Sequence, residues 1–132
     1  MTVSFHANCV AIEDMDEDEY WLVGFADEKF ETKQYLMLQR GYFDDDEQDI
    51  KNGSNTYYVE RDGQNQCIYG GIERFELQRD RLLVQFTKAG QQRLNATAMD
   101  ISFKLTASKF DKLKNRLERV FADTECLVVR NS

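Results

Sequence analysis

The stretch Met99-Asp-Ile-Ser-Phe-Lys-Leu105, followed by residues 109–121, decides the fold class of this chain. In the first part apolar residues occupy every second position, the period of a β-strand with one buried face. In the second part apolar residues recur at spacings of three and four, which predicts an amphipathic helix with a single apolar stripe. The stripe consists of Phe110, Leu113, Leu117, Val120 and Phe121. Ser108 and Asp111 resemble a capping box at the start of this helix.

The remainder of the chain contains further stretches with strand character. They are residues 2–12, 20–25, 34–40, 56–61, 67–69, 71–77 and 82–86, and residues 126–130 could add an edge strand. The continuous apolar centre of residues 34–40 predicts a central position in a sheet, and Gly70-Gly71 predicts a bulge or a close backbone approach. About seven strands and one C-terminal helix predict an α+β fold, a mostly antiparallel sheet with the helix packed on it. No repeat or low-complexity linker divides the sequence, so we expect residues 1–132 to form a single domain.

Charge is distributed very unevenly along the chain. Between Glu13 and Asp49 there are fourteen acidic residues and three basic ones, whereas from residue 50 onward there are fourteen basic and ten acidic residues. The total is a net charge of −7. A local negative field repels nucleic acid and anionic membrane and attracts a basic surface. The expected partner is therefore a protein with a basic surface, not nucleic acid or membrane.

The sequence contains no pattern typical of a membrane span, an exported precursor, a disulfide framework or a zinc site. No apolar run approaches about 18 residues, and the N-terminus lacks the basic and apolar segments of a signal peptide. Cys9, Cys67 and Cys126 are widely spaced and odd in number, which favours reduced, buried thiols. We therefore expect a cytoplasmic protein.

The residues needed for common catalytic arrangements are missing. No glycine-rich phosphate loop precedes a Lys-Ser/Thr pair, and the single histidine, His6, lies on a strand opposite Phe5 and Ala7, facing solvent or a polar pocket. The basic residues of the C-terminal helix favour a solvated face over a nucleic-acid site. The sequence therefore predicts a protein that is not an enzyme and that binds no cofactor and no metal.

Two acidic clusters, at residues 13–19 and 44–49, stand out as candidate sites. The second cluster has neither the glycine at position six nor the glutamate at position twelve of a calcium loop. Weak divalent binding, a plain solvated loop and a protein-binding surface all remain open for it. The sequence does not decide whether the two clusters lie on one face.

The order of residues in three segments resembles the immunity protein 10 family of bacterial polymorphic-toxin systems. The segments are Tyr35-Leu-Met-Leu-Gln-Arg40, Tyr57-Tyr-Val-Glu60 and Tyr69-Gly-Gly-Ile-Glu-Arg-Phe-Glu-Leu77, and the likeness covers about residues 20–122. The resemblance implies a cytoplasmic antidote that binds and blocks a cognate toxin and performs no chemistry of its own. It assigns no toxin-contact residues and no oligomeric state.

Charge and resemblance together suggest an inhibitor that covers a basic toxin surface, with nucleases as one class of target. The candidate partner-binding residues are Asp16, Glu17, Asp18, Glu19, Asp44, Asp45, Asp46, Glu47, Asp49 and Glu73. An alternative is a small ligand-binding domain or enzyme with a pocket lined by Tyr35, Tyr57, Tyr58 and Tyr69. A third hypothesis is self-association through the strand at residues 126–130.

Overall fold

A computed structural model describes residues 1–42 and 56–130, and this part of the chain forms two five-stranded sheets and two helices. Sheet A has the order β1-β9-β8-β7-β10, and sheet B has the order β2-β3-β4-β5-β6. The strands are β1 (Thr2–His6), β2 (Cys9–Met15), β3 (Tyr20–Ala26), β4 (Tyr35–Gly41), β5 (Tyr58–Arg61), β6 (Cys67–Tyr69), β7 (Ile72–Leu77), β8 (Arg81–Phe86), β9 (Ala98–Ser102) and β10 (Leu127–Val129). The helices are α1 (Lys88–Leu94) and α2 (Ala107–Val120).

The predicted α+β class is confirmed, and the strands are divided between two sheets that share one buried cluster. Sheet B is antiparallel throughout, whereas in sheet A the pairs β1–β9 and β10–β7 are parallel. Strands β7 and β8 form an antiparallel hairpin, and the predicted edge strand at the C-terminal end is present. The hairpin register shifts between Ile72 and Arg74, just after the two glycines.

The first predicted strand, residues 2–12, is in fact two strands in different sheets. The amide of Ala7 still donates to Ser102 at 2.8 Å in sheet A, and the chain then crosses at Asn8 to sheet B. The buried positions are odd-numbered in β1 and the linking residue, Val3 and Ala7, but even-numbered at Val10 in β2. Cys9 and Ala11 therefore point to the outer face of sheet B and away from the core. The alternation of apolar residues continues across this bend, so the sequence pattern concealed it.

Strand β4 lies at the centre of sheet B, as predicted, between β3 and β5. Its residues Leu36 and Leu38 are fully buried, whereas Tyr35, Met37 and Gln39 on the other face are half-buried. The strand is therefore packed against the core on one face only. We call the other side of the sheet the outer face of sheet B.

Helix α2 carries the predicted apolar stripe toward the core, where Phe110, Leu113, Leu117 and Val120 are buried. It packs against β2, β3 and β4 of sheet B and against β10 of sheet A. The predicted cap at Ser108 is wrong, because the hydroxyl oxygen of Thr106 accepts from the Lys109 amide at 3.2 Å. A Thr at the N-cap satisfies one of the unpaired amides of the first turn just as Ser would.

Helix α1 was not predicted, and it explains the two glycines. Gly70 and Gly71 have φ angles of 78° and 87°, a conformation that favours glycine. The Gly71 carbonyl accepts from the amide of Thr87 at 2.9 Å, and the Thr87 hydroxyl oxygen caps α1 by accepting from the Gly90 amide at 3.1 Å. The helix therefore begins directly on the glycine turn.

Two buried arginines of sheet B bind the C-terminal ends of both helices. The Arg40 guanidinium donates to the carbonyls of Val120 at 3.2 Å and Ala122 at 2.5 Å. The Arg61 guanidinium donates to the carbonyl of Leu94 at 2.8 Å. The last carbonyls of a helix lack partners within the helix and carry its negative dipole end. Each arginine therefore supplies both hydrogen bonds and a complementary charge.

We predict that Gly90→Ala destabilises the fold although alanine is the better helix former. A Cβ atom at this position would overlap the Gly71 carbonyl oxygen and come within 3.2 Å of Phe86 Cβ. Overpacking of this kind costs about 1–3 kcal/mol of the free energy of unfolding, measurable by urea denaturation. The neighbouring change Ala89→Gly, at an exposed position, should cost only about 1 kcal/mol through helix propensity. A Gly90→Ala protein as stable as the wild type would contradict this close packing.

We also predict that Arg40→Met destabilises the protein by about 2–3 kcal/mol, because buried helix carbonyls lose their charged donor. Methionine preserves most of the apolar stem, so the loss reports the guanidinium group. Urea denaturation measures the difference in the free energy of unfolding. Lys112→Met, at an exposed position of α2, is the control and should change stability by less than about 0.5 kcal/mol. Equal stability of the two variants would show that Arg40 does not hold the helix end.

Candidate partner-binding surface

Residues 16–19 of the first acidic cluster form the turn of the β2–β3 hairpin, whereas residues 13–15 belong to strand β2. Asp16, Glu17, Asp18 and Glu19 connect Met15 to Tyr20, and all four side chains are exposed. We call these four residues the acidic turn. Within residues 1–42 and 56–130, none of its carboxylates forms an ion pair with a Lys or Arg side chain. The turn therefore presents four negative charges that the described part of the chain does not neutralise.

Asp14, just before this turn, has a structural role instead. Its carboxylate accepts from the Nε and Nη2 atoms of Arg116 at 2.6 and 2.8 Å. This bidentate pair lowers the pKa of Asp14 and raises the pKa of Arg116. The pair fixes the end of the hairpin against helix α2, so Asp14 is not available to a partner in the way that the acidic turn is.

Tyr42, the last residue of the described segment 1–42, contacts the acidic turn. Its hydroxyl donates to the Asp16 carboxylate at 2.5 Å, and its amide donates to the carbonyl of Glu19 at 2.8 Å. The hydrogen bond to Asp16, with some desolvation, raises the pKa of Tyr42 to about 12. The Tyr42 ring also packs on Trp21, with centroids 4.6 Å apart. The described chain therefore reaches residue 42 directly beside the acidic turn.

The other predicted acidic residues are not part of this turn. Asp44, Asp45, Asp46, Glu47 and Asp49 lie outside the described residues. Glu73 is exposed on β7 of sheet A, at the register shift of the hairpin, whereas the acidic turn belongs to sheet B. In the described chain no hydrogen bond or ion pair connects Glu73 to the acidic turn.

A second candidate surface is the outer face of sheet B, which contains three of the four tyrosines of the alternative pocket, Tyr35, Tyr58 and Tyr69. Strand pairing places large, partly exposed side chains side by side on this face, and the most exposed of them is Tyr69, at 51 %. These side chains are Tyr20, Leu22, Tyr35, Met37, Tyr58 and Tyr69. Beside them is a mainly apolar hollow of about 270 Å³, lined among others by Cys9, Ala11, Gly24, Ala26, Tyr35 and Met37.

A buried carboxylate lies in the middle of this aromatic surface. Glu60 is only 7 % exposed, and its two oxygens accept from the hydroxyl of Tyr35 at 2.6 Å and from that of Tyr58 at 2.8 Å. Burial and the nearby Glu60 carboxylate raise the pKa of both tyrosines, so both remain protonated donors. The Tyr58 ring in turn packs against Tyr69, with centroids 5.3 Å apart. The three tyrosines are thus held in fixed positions.

Tyr57 does not belong to this surface, which corrects the predicted four-tyrosine pocket. Its ring is buried against Phe121, with centroids 4.9 Å apart. Its hydroxyl accepts from the Ile72 amide at 3.0 Å and donates to the Ile72 carbonyl at 3.3 Å. Burial raises the pKa of Tyr57 to about 12. Adjacent residues point to opposite faces of a strand, so Tyr57 and Tyr58 separate between core and surface.

Other potentially reactive residues are dispersed over the fold. The described residues contain no group of three or more His, Cys, Asp or Glu side chains that could hold a metal ion. His6 is exposed and its Nδ1 atom is 2.9 Å from the hydroxyl of Ser102. Cys9 and Cys67 are half-buried on the outer face of sheet B, and Cys126 is buried. Neither helix of the described chain has the length and apolar character needed to cross a membrane.

Comparison with known protein families shows that residues 6–111 match the model of immunity protein 10. The chain belongs to this family. The match confirms the resemblance seen in the sequence, begins earlier than residue 20 and ends within helix α2. Both candidate surfaces lie within the matched segment. No curated protein and no solved structure matches the chain.

We predict that the contribution of Asp14 to stability disappears in acid. The pKa of Asp14 in the folded protein lies below the ordinary value of 3.8, so the ion pair stabilises the fold above about pH 4. This stabilisation is lost as the pH falls through the lowered pKa. Asp14→Asn should therefore cost about 0.5–1 kcal/mol of the free energy of unfolding at pH 7. The difference should shrink toward zero below pH 4, as measured by urea denaturation between pH 3 and 7.

Asp18→Asn, in the exposed acidic turn, should show no such loss of stability. A cost of Asp14→Asn that does not depend on pH would contradict the ion pair between Asp14 and Arg116.

Proposed function

We propose that this protein is an immunity protein that binds and neutralises a cognate bacterial toxin in the cytoplasm of the cell that produces it. Membership of the immunity protein 10 family is the observation that carries this proposal. The chemistry of the described residues supports inhibition by binding, since the fold offers exposed charged and aromatic surfaces. In this proposal the toxin is covered by the immunity protein, which performs no catalysis of its own.

We propose that the acidic turn and the second acidic cluster bind a basic surface of the toxin. Four exposed carboxylates in the acidic turn lack ion-pair partners in the described chain, and Asp44, Asp45, Asp46, Glu47 and Asp49 add further negative charge in the sequence. Complementary charge accelerates encounter and suppresses wrong partners. A nuclease toxin fits this chemistry, because the basic residues that bind the phosphates of its substrate can also bind carboxylates. Glu73 remains a candidate contact on sheet A.

The test uses the product of the reading frame next to the gene for this protein as the candidate toxin, and a variant in which the acidic turn is neutral. The variant combines Asp16→Asn, Glu17→Gln, Asp18→Asn and Glu19→Gln. We expect its association rate constant with the toxin to fall about tenfold or more at low salt, because electrostatic steering is lost. We also expect a smaller dependence of that rate on salt. Stopped-flow binding measures the rate, and survival of cells expressing the toxin measures protection.

The matched control changes the net charge by the same amount at four other exposed acids, through Asp80→Asn, Asp111→Asn, Glu118→Gln and Glu125→Gln. This control should keep most of the wild-type association rate. If both variants lose the rate equally, net charge and not the acidic turn is responsible. A combined variant at Asp44, Asp45, Asp46, Glu47 and Asp49 tests the second cluster in the same way. If all variants protect cells as well as the wild type does, the acidic residues are not the toxin-binding site. If the wild type does not bind the toxin, the proposed function is refuted.

A further inference from the structure

We propose that the outer face of sheet B is the toxin-binding surface, and that it binds an arginine side chain of the toxin between Glu60 and the tyrosines. This inference rests on the proposed function and adds the location and chemistry of the contact. It is carried by the composition of the face, its buried carboxylate and its continuity with the acidic turn.

The face has a suitable extent and position. Five strands about 4.8 Å apart, with a central strand of seven residues, give a surface of about 20 Å by 20 Å. Tyr20 lies at the end of this surface where the acidic turn begins. An incoming basic partner that is attracted by the turn therefore meets the tyrosines next.

The side chains of the face are those that contribute most to protein–protein binding. Tyrosine and methionine are enriched in interface cores, and tyrosine is among the residues that most often act as hot spots. Here the rings lose little freedom on binding, since Glu60 already holds Tyr35 and Tyr58 by hydrogen bonds and Tyr69 packs on Tyr58. Such preorganisation reduces the entropic cost of association.

The charge of the outer face favours binding of a positively charged side chain from the partner. In the described chain, the outward-facing positions of the five strands contain no Lys or Arg, and Glu60 forms no ion pair. The two hydroxyl donors of Glu60 add no positive charge, and a buried carboxylate is stabilised by a counter-ion. Arginine suits this site better than lysine, because its planar guanidinium can stack on a tyrosine ring and donate to a carboxylate at the same time.

The apolar hollow, which lies two strand spacings away from Glu60, specifies a second feature of the partner. Its floor is formed by small residues on neighbouring strands, including Ala11 and Gly24, and it is bordered by Tyr35 and Met37. Gly24 lies on β3 and Glu60 on β5, which places the two features about 10 Å apart across the sheet. The expected toxin segment therefore carries an arginine and an apolar side chain about 10 Å from each other.

The experiment measures binding of the same candidate toxin to three variants, Glu60→Gln, Tyr69→Ser and Met37→Ala. Each variant should weaken the equilibrium affinity for the toxin at least tenfold. Urea denaturation should show that each variant remains folded under the conditions of the binding measurement. Tyr69→Ser tests the surface independently if Glu60→Gln is poorly folded, because Tyr69 is exposed and packs only at the edge of the sheet. The controls are Leu83→Ser, on the outer side of sheet A, and Glu118→Gln, on α2, and both should bind as the wild type does.

The arginine is tested by a double-mutant cycle between Glu60→Gln and single Arg→Ala changes on the toxin. One toxin arginine should show a coupling to Glu60 of at least tenfold in affinity. If no arginine does, the arginine site is refuted. If the wild type binds the toxin and the three outer-face variants bind equally well, the whole docking surface is refuted while the proposed function stands. If the wild type fails to bind, both fall.

Discussion

The attachment of both helix ends to sheet B by buried arginines is the constraint on which the rest of the arrangement depends. Arg40 and Arg61 lie on the inner side of β4 and β5 and donate to the terminal carbonyls of α2 and α1. A buried guanidinium is tolerated only when its hydrogen bonds are largely satisfied, and helix C-termini supply acceptors of the right sign. The two helices are thereby held on the inner side of sheet B, and its outer face keeps partly exposed side chains.

The β2–β3 hairpin shows how closely structural and binding roles can be combined. Asp14 is bound by Arg116 and secures the hairpin to helix α2, whereas the residues just after it form an exposed turn without ion pairs in the described chain. Within two residues the same residue type changes from an ion-paired carboxylate, Asp14, to one without an ion-pair partner in the described chain, Asp16. Counting acids in the sequence therefore overestimates the charge that a partner would meet, because Asp14 is already neutralised.

The sequence predicted those parts of the fold that repeat a simple period. The stripe of α2 and the strands β3, β4, β7 and β8 were predicted because alternating or three-and-four spacings reflect burial directly. The bend after Ala7 was missed because the alternation continues across it, and α1 was missed because Gly90 lowers helix propensity. Of the candidate site, the acidic turn was predicted, but the position of Glu60 between two tyrosines was not. That cluster depends on strand register, which residues far apart in sequence determine together.

The positions of the two half-buried cysteines give the outer face of sheet B a chemical property of its own. Cys9 lies on β2 and Cys67 on β6, the two edge strands of the sheet, whereas Cys126 is buried. Four strand spacings of about 4.8 Å separate the edges, far more than a disulfide can bridge. The two thiols therefore cannot form a disulfide with each other, and one lies at each margin of the tyrosine surface. Alkylation or oxidation of either would alter that surface while leaving the core and both helix attachments intact.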